Sequence, residues 1–265
     1  MANPVEKTLP FETEPVKQFG KVVIVLPAYN ASATLRATIV DIPQGSYDEI
    51  ILVDDCSSDN TVEIARELGI RVICHERNLG YGANQKSCYN AAIESGADAV
   101  VMLHPDYQYD GRLVPDFLGF LRTGVCDVML GNRVRTRKET LESGMPLYKY
   151  ISNRFLTTIE NVALGQNLGD FHSGFRCYTK EVLKRIAYHN NSDDFVFDSE
   201  FLAQAAYFGF RIGDGPIPCR YFSEASSINF GRSLKYGFQT LFTLCKFWLQ
   251  KSRLMKFRIF EDPWD

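Results

Sequence analysis

An α/β fold with a mostly parallel sheet flanked by helices is predicted by three features of this 265-residue chain. Two apolar, β-branched runs, VVIVLPAYN at 22–30 and ILVDDCSSDNT at 51–61, each end abruptly in small polar residues. That is the pattern of a buried parallel strand delivering a loop to one edge of a sheet. Helical patterns follow each run before the next begins, so strand and helix alternate from the start. The length, with 45% hydrophobic and 13% aromatic residues, is enough for a sizeable core.

Residues 1–20 hold three prolines and several charges and read as a flexible arm. A folded domain is expected over 21–230, with a tail at 231–265. After the first strand come a helix at 34–40, a strand at 50–53, a helix at 62–68 closed by Gly69, and a short strand at 71–74. In open sheets of this kind ligands collect beyond the carboxyl ends of the strands, so Asn30 and the pair Asp54 and Asp55 should face one pocket. Adjacent carboxylates accept hydrogen bonds without donating, and suit ribose hydroxyls, base N–H groups or a metal. Alternatively, Asp54 and Asp59 only cap the helix at 60–68.

In NLGYGANQKSCYNAAIESGA, Gly80 and Gly82 open a helix that runs to about residue 95 and stops at Gly96. A Gly-rich turn at a helix N-terminus can cradle phosphate on free N–H groups, which makes Gly82 a candidate contact. A tight turn before a packed helix accounts for the same residues, and the Gly-Lys-Ser/Thr of a P-loop is absent. A fourth strand at 99–103 is followed at once by His104, Asp106 and Gln108, alternate residues that an extended chain projects to one side. A carboxylate, an amide carbonyl and an imidazole nitrogen suit Mg²⁺ or Mn²⁺ that still holds substrate phosphates and water. The alternative is a polar loop with Asp110 capping a helix at 112–121.

Further on, RVRTRK at 133–138 gathers four basic residues, either a solvated surface or a mobile loop closing over a ligand. A helix is expected at 147–164. DFHSGF at 170–175 places Asp170, His172 and Ser173 in a polar loop before an apolar, helical run; His172 reads as a hydrogen-bonding residue rather than a metal ligand. FVFDSEF at 195–201 sets Asp198 and Glu200 among aromatics, where burial can raise a carboxyl toward duty as a base. Asp198 could instead cap a helix at 199–207.

Residues 232–258 contain seven basic and no acidic residues, interleaved with Phe238, Leu241, Phe242, Cys245, Trp248 and Leu249 at helical spacing. Such an amphipathic helix suits a membrane surface, or packs on its own domain or a second subunit. Its uncharged run at 236–245 is too short to cross a bilayer, and no run of about 18 apolar residues occurs anywhere.

The formal net charge of -3 argues against a nucleic-acid binder. Seven cysteines, odd in number and never spaced as Cys-x-x-Cys, suggest neither a disulfide framework nor a zinc knuckle. Together with an N-terminus lacking a signal-peptide core, they lead to the expectation of a cytoplasmic protein, peripheral on the inner face of the membrane if the tail binds there.

Taken in order, PAYN, VDDCSSD, ERNLGYGAN, HPDYQYD, GNRV, DFHSGFRCYTKEVL and FVFDSEFLAQA resemble the family 2 glycosyltransferases of GT-A fold, in particular the branch of dolichol- and polyprenyl-phosphate sugar synthases. The resemblance covers about residues 21–225. It implies transfer of a sugar, with inversion, from a nucleotide sugar (UDP-, GDP- or dTDP-linked) to a polyprenyl phosphate or growing glycan, assisted by Mg²⁺ or Mn²⁺. Pro27, Ala28, Tyr29 and Asn30 would cradle the nucleotide and Asp55 would touch base or ribose. Asp106 and Gln108 would hold metal and diphosphate, while Arg133 and Arg176 would neutralise leaving-group charge. Three positions depart from the family: Ala31 where an acidic residue is usual, His104 where the first Asp of Asp-x-Asp stands, and SEASSINFGRSLKYG at 223–237 where an Arg, a Gly and a Ser-Lys pair are expected. The first two departures raise a second reading, a weakened nucleotide-sugar-binding or scaffolding protein of the same fold. A sugar nucleotidyltransferase would carry a basic, Gly-rich N-terminal loop, and PAYNASATL has no basic pair.

Overall fold

The computed structural model describes residues 16–221 and 230–262. All but the last five residues of the expected arm, and residues 223–229 of the stretch that departs from the family pattern, lie outside that range. Seven strands form one sheet: β1 (Val22–Ala28), β2 (Glu49–Asp54), β3 (Arg71–Cys74), β4 (Ala99–Leu103), β5 (Val128–Asn132), β6 (Phe175–Thr179) and β7 (Ile212–Pro216). Their order is β3-β2-β1-β4-β6-β5-β7, and only β6 runs antiparallel to its neighbours. β1 lies between β2 and β4, with Ala28 opposite Asp54 and Val25 opposite Met102, so three polar strand ends emerge on one edge.

Strands β1, β2 and β4 are buried along nearly their whole length because helices cover both faces, which is why they read as continuous apolar runs rather than alternating ones. One face packs against α3 (Tyr81–Glu94) and α8 (Phe197–Tyr207), with Tyr89, Phe197 and Phe201 in the core. The other packs against α4 (Val114–Arg122), where Phe117 stacks on Phe175 at 4.6 Å. The smaller helices α1 (Leu35–Val40) and α2 (Thr61–Glu67) follow β1 and β2.

The first half of the chain folds close to expectation, and the second half departs from it in two places. The run after DFHSGF is strand β6 before it is helix α7 (Lys180–Arg185). Its five residues are buried on both faces between β4 and β5, so it has no alternation from which a strand could be read. RVRTRK is not one loop: Thr136 accepts a hydrogen bond from Glu139 N and starts α5 (Arg137–Glu142). The expected helix at 147–164 is α6 (Leu147–Leu164), ended by Gly165 at φ 69°.

The tail forms α9 (Phe230–Lys251). Thr240, Thr243, Leu244 and Phe247 are buried in the domain, and Ile259 and Phe260 return into the same core. Its opposite face leaves Leu234, Phe238, Phe242 and Trp248 more than half exposed. No helix among the described residues is long and apolar enough to cross a membrane.

Candidate active site

The strand ends of β1 and β2 line a cavity of about 480 Å³ together with Pro27, Ala28, Tyr29, Asn30, Asp55 and Asn78. Asn30 adopts φ 51°, a left-handed turn tolerated by its short polar side chain, and accepts a hydrogen bond from Ser58 N at 2.9 Å. Asn84, on the first turns of α3, donates to Ala28 O and Val53 O and so ties the two strand ends together. Sequence reasoning missed Asn84, since nothing in its spacing shows that it faces the sheet.

Of the adjacent carboxylates only Asp55 lines this cavity. Asp54 is 2% exposed and accepts from Ser57 N, so it shapes the turn after β2. Helix α2 is instead preceded by Asn60, and Asp59 accepts from Thr61 N and from Ser32 N, joining the loops after β1 and β2. The Gly80–Gly82 turn is a packing device. Gly80 N donates to Asp55 and Gly82 N donates to Asp193 O at 2.7 Å, so neither N–H is left for phosphate. A Cβ on Gly82 would stand 2.3 Å from Ser192 O, which is why no larger residue fits.

Beyond β4, His104 and Asp106 line both this cavity and a second one of about 210 Å³, while Gln108 lines only the second. Burial pushes the His104 imidazole below its ordinary pKa, so it offers a neutral nitrogen. Its Nε2 lies 3.2 Å from Tyr81 Oη. Burial raises the Asp106 carboxyl, and the hydrogen bond it accepts from Gln108 N and the Arg133 charge offset this only in part. A divalent cation would supply the missing charge. Among the described residues no group of three His, Cys, Asp or Glu could hold a metal alone. One buried carboxylate with a neutral nitrogen and an amide fits the case in which Mg²⁺ or Mn²⁺ takes its other ligands from substrate phosphates and water. Asp110, as the alternative had it, accepts from Arg112 N and starts a 3₁₀ turn before α4.

Asp198 lines the second cavity from the first turn of α8 and does not cap that helix, which begins at Phe197. Three donors fix its carboxylate: Tyr81 Oη at 2.8 Å, Gln85 Nε2 at 2.9 Å and Arg176 Nη2 at 3.1 Å. Arg176 is wholly enclosed behind Asp198, lines neither cavity, and also donates to Ser173 O and Phe171 O. Burial opposes its charge, but the Asp198 carboxylate keeps it protonated. Arg133 does reach the second cavity and forms a two-point pair with Asp170, at 2.6 and 3.1 Å. Glu200, the other carboxylate of FVFDSEF, accepts from Ser192 N and pairs with Lys246.

His172 takes the hydrogen-bonding role expected of it: Nδ1 lies 2.7 Å from Tyr236 Oη and Nε2 lies 3.2 Å from the buried Glu160 carboxylate. Tyr236 belongs to α9, which also brings Arg232, Lys235 and Gln239 to the wall of the larger cavity. The sequence assigned these residues to a tail, because nothing local shows that a helix more than 200 residues from β1 returns over its end. Tyr81, stacked on Phe195 at 4.8 Å, was missed for the same reason, yet it lines both cavities.

Two cavities that share a buried carboxylate beyond the carboxyl ends of a mostly parallel sheet sit where α/β folds collect their ligands. The profile of glycosyl transferase family 2 matches residues 23–187, and the chain belongs to that family. It is 28% identical, over 84% of its length and 94% of the relative's, to a UDP-N-acetylglucosamine–dolichyl-phosphate N-acetylglucosaminyltransferase of Methanococcus voltae. It is 29% identical, over 76% of its length and 84% of the relative's, to a dolichyl-phosphate hexose transferase of Haloferax volcanii. The expected GT-A fold is present: glucosyl-3-phosphoglycerate synthase of Mycobacterium tuberculosis, crystallised with Mn²⁺, UDP-glucose and phosphoglyceric acid, superposes with a TM-score of 0.64 at 21% identity, covering 86% of this chain and 80% of that one.

Proposed function

We propose that this glycosyltransferase moves a sugar from a nucleoside diphosphate sugar, held in the larger cavity, to a polyprenyl phosphate entering through the smaller one. The observation that carries this reading is the smaller cavity itself, where Lys149 stands near Arg133 and the wall runs on into an apolar groove between α6 and α9. The groove is lined by Phe155, Leu156, Leu234, Phe238 and Leu241. Burial and then the Arg133 charge push the Lys149 ammonium below its ordinary pKa. An anion between the two would relieve that repulsion, and a prenyl chain would cover the apolar walls.

In the reaction an acceptor phosphate oxygen forms a bond to the anomeric carbon while the bond from that carbon to the nucleoside diphosphate breaks. A single displacement inverts the centre. The nucleophile is already anionic, so Asp198 has no proton to take and instead helps wall the site; with a glycan hydroxyl as acceptor it would be the base. A bound Mg²⁺ or Mn²⁺, with Asp106, His104 and Gln108 as its protein ligands, would supply charge to the departing diphosphate. Arg232 and Lys235, the latter paired with Asp194, add cationic side chains to the lining of the larger cavity.

The test is transfer of labelled sugar from a panel of nucleotide sugars to a short-chain polyprenyl phosphate in detergent, with a free glycan as control. Lys149→Gln should raise the acceptor KM about tenfold while leaving nucleotide-sugar affinity nearly unchanged. Binding of the donor with neither transfer nor slow hydrolysis in Mn²⁺ would favour the scaffold reading.

The exposed face of α9 supports placement on an anionic membrane surface. Phe238, Phe242 and Trp248 are exposed along it, and Lys251, Arg253 and Lys256 are exposed at and just beyond its end. Each basic residue near such a surface contributes about 1 kcal/mol, screened by salt. The protein should sediment with anionic vesicles at low salt and be released at high salt, and Phe238→Ser with Phe242→Ser should weaken both steps. A protein that ignores vesicles but elutes as a dimer would assign this face to a second copy.

A further inference from the structure

Asp55 lines the larger cavity, and its surroundings limit what its carboxylate can still accept. Oδ1 receives His75 Nδ1 at 2.7 Å and Leu79 N at 2.8 Å, and Oδ2 receives Gly80 N at 3.0 Å. A carboxylate offers about four lone-pair sites, two on each oxygen. Oδ1 is therefore filled, and Oδ2 has room for one more donor.

The filling of Oδ1 depends on His75. Because an ionised carboxylate can only accept, the 2.7 Å contact places a proton on Nδ1, and Nε2 faces Ser87 Oγ at 2.9 Å. The imidazole is thus held at both ends, by the loop after β2 and by α3. Its backbone N also donates to Asp54 O at 2.9 Å. Asn78, which lines the same cavity, donates one amide N–H to Asp55 O and carries a second.

Resting on the reading of the chain as a nucleotide-sugar transferase, we propose that His75 makes the site select a base with a single imide N–H flanked by carbonyls, uracil or thymine, and reject guanine. Guanine presents two parallel donors, N1–H and N2–H, which a carboxylate receives well only with one acceptor site free on each oxygen. With Oδ1 filled, one of those donors is left unsatisfied, and sites with unpaired buried polar groups reject such ligands strongly. A uracil or thymine N3–H needs one acceptor, and its neighbouring carbonyl can take the second Asn78 N–H. His75 acts through Asp55 and is a positioning residue.

Titration calorimetry of the full chain with UDP, dTDP and GDP in the presence of Mn²⁺ tests this. The intact protein should bind UDP, dTDP or both at least about tenfold more tightly than GDP, and the two pyrimidine arms tell which is preferred. His75→Ala opens Oδ1, so the preference over GDP should shrink to within about threefold. His75→Asn, whose amide can replace the Nδ1 proton, should restore it. A merely structural role for His75 would weaken all three nucleotides alike and leave the ratio unchanged, which overturns the proposal. GDP binding as tightly as UDP and dTDP overturns it too, yet leaves the transferase reading standing. If no nucleotide binds, both fail.

Discussion

Replacing Asp106 by Ala should lower sugar transfer by about 10³-fold, the largest catalytic loss of any single substitution in the site. Among the described residues Asp106 is the only carboxylate that lines both cavities, and it stands where a diphosphate and an acceptor would meet. A carboxylate brings charge as well as an oxygen ligand, whereas the neutral His104 beside it brings only a lone pair. His104→Ala should therefore cost roughly tenfold, and should raise the Mn²⁺ concentration needed for half-maximal rate. The loss at Asp106 should come with no loss of stability. Because burial raises its carboxyl, the folded state disfavours the ionised form relative to the unfolded chain at any pH above the ordinary carboxylate range. At neutral pH the alanine variant should melt at the same temperature or higher. Equal, small kinetic effects at both positions would show a site that works without metal.

Asp170→Ala should produce the largest loss of stability, about 3–5 kcal/mol, read as a fall in melting temperature of roughly 10 °C. Asp170 is fully buried and receives Arg133 through two hydrogen bonds, along with Asn153 Nδ2 and His172 N at 2.9 Å each. Removing it strands the Arg133 guanidinium, which is itself only 12% exposed. Burial alone would raise the Asp170 carboxyl, but the Arg133 charge and its hydrogen bonds override this and hold it far below the usual range. Since the folded pKa is depressed, the stabilisation is complete above the unfolded value of about 3.9 and is lost as pH falls through the folded value. The gap between wild type and variant should accordingly stay constant from pH 5 to 8 and narrow only in strong acid. High salt should change it little, because the pair is shielded from solvent. A loss below about 1 kcal/mol would mean that Arg133 finds another partner.

The sequence by itself determined the fold class, the strand and helix order up to β4, and the edge where a ligand collects. Those features are local: an apolar run ending in polar residues announces a strand and its loop, so Asn30, Asp55 and Asp106 could be picked out from their own surroundings. The family motifs carried the recognition of a glycosyltransferase for the same reason, since they lie in order along the chain. Only the tertiary structure decided which polar groups are spent on one another. Asp54 and Asp55 are neighbours in sequence, but successive positions point opposite ways, and one shapes a turn while the other meets the cavity. Gly82 was legible as a turn glycine; that its N–H serves Asp193, 111 residues away, was not. Arg176 and Asp198 read as separate catalytic candidates and fold into one pair, with Asp198 lining the cavity and Arg176 enclosed behind it. Nor could any local pattern place Tyr236 of α9 against His172, or Lys149 of α6 near Arg133. Such contacts join elements tens to hundreds of residues apart, and their partners are chosen by how helices pack on the sheet, a property of the whole chain that no window of sequence contains.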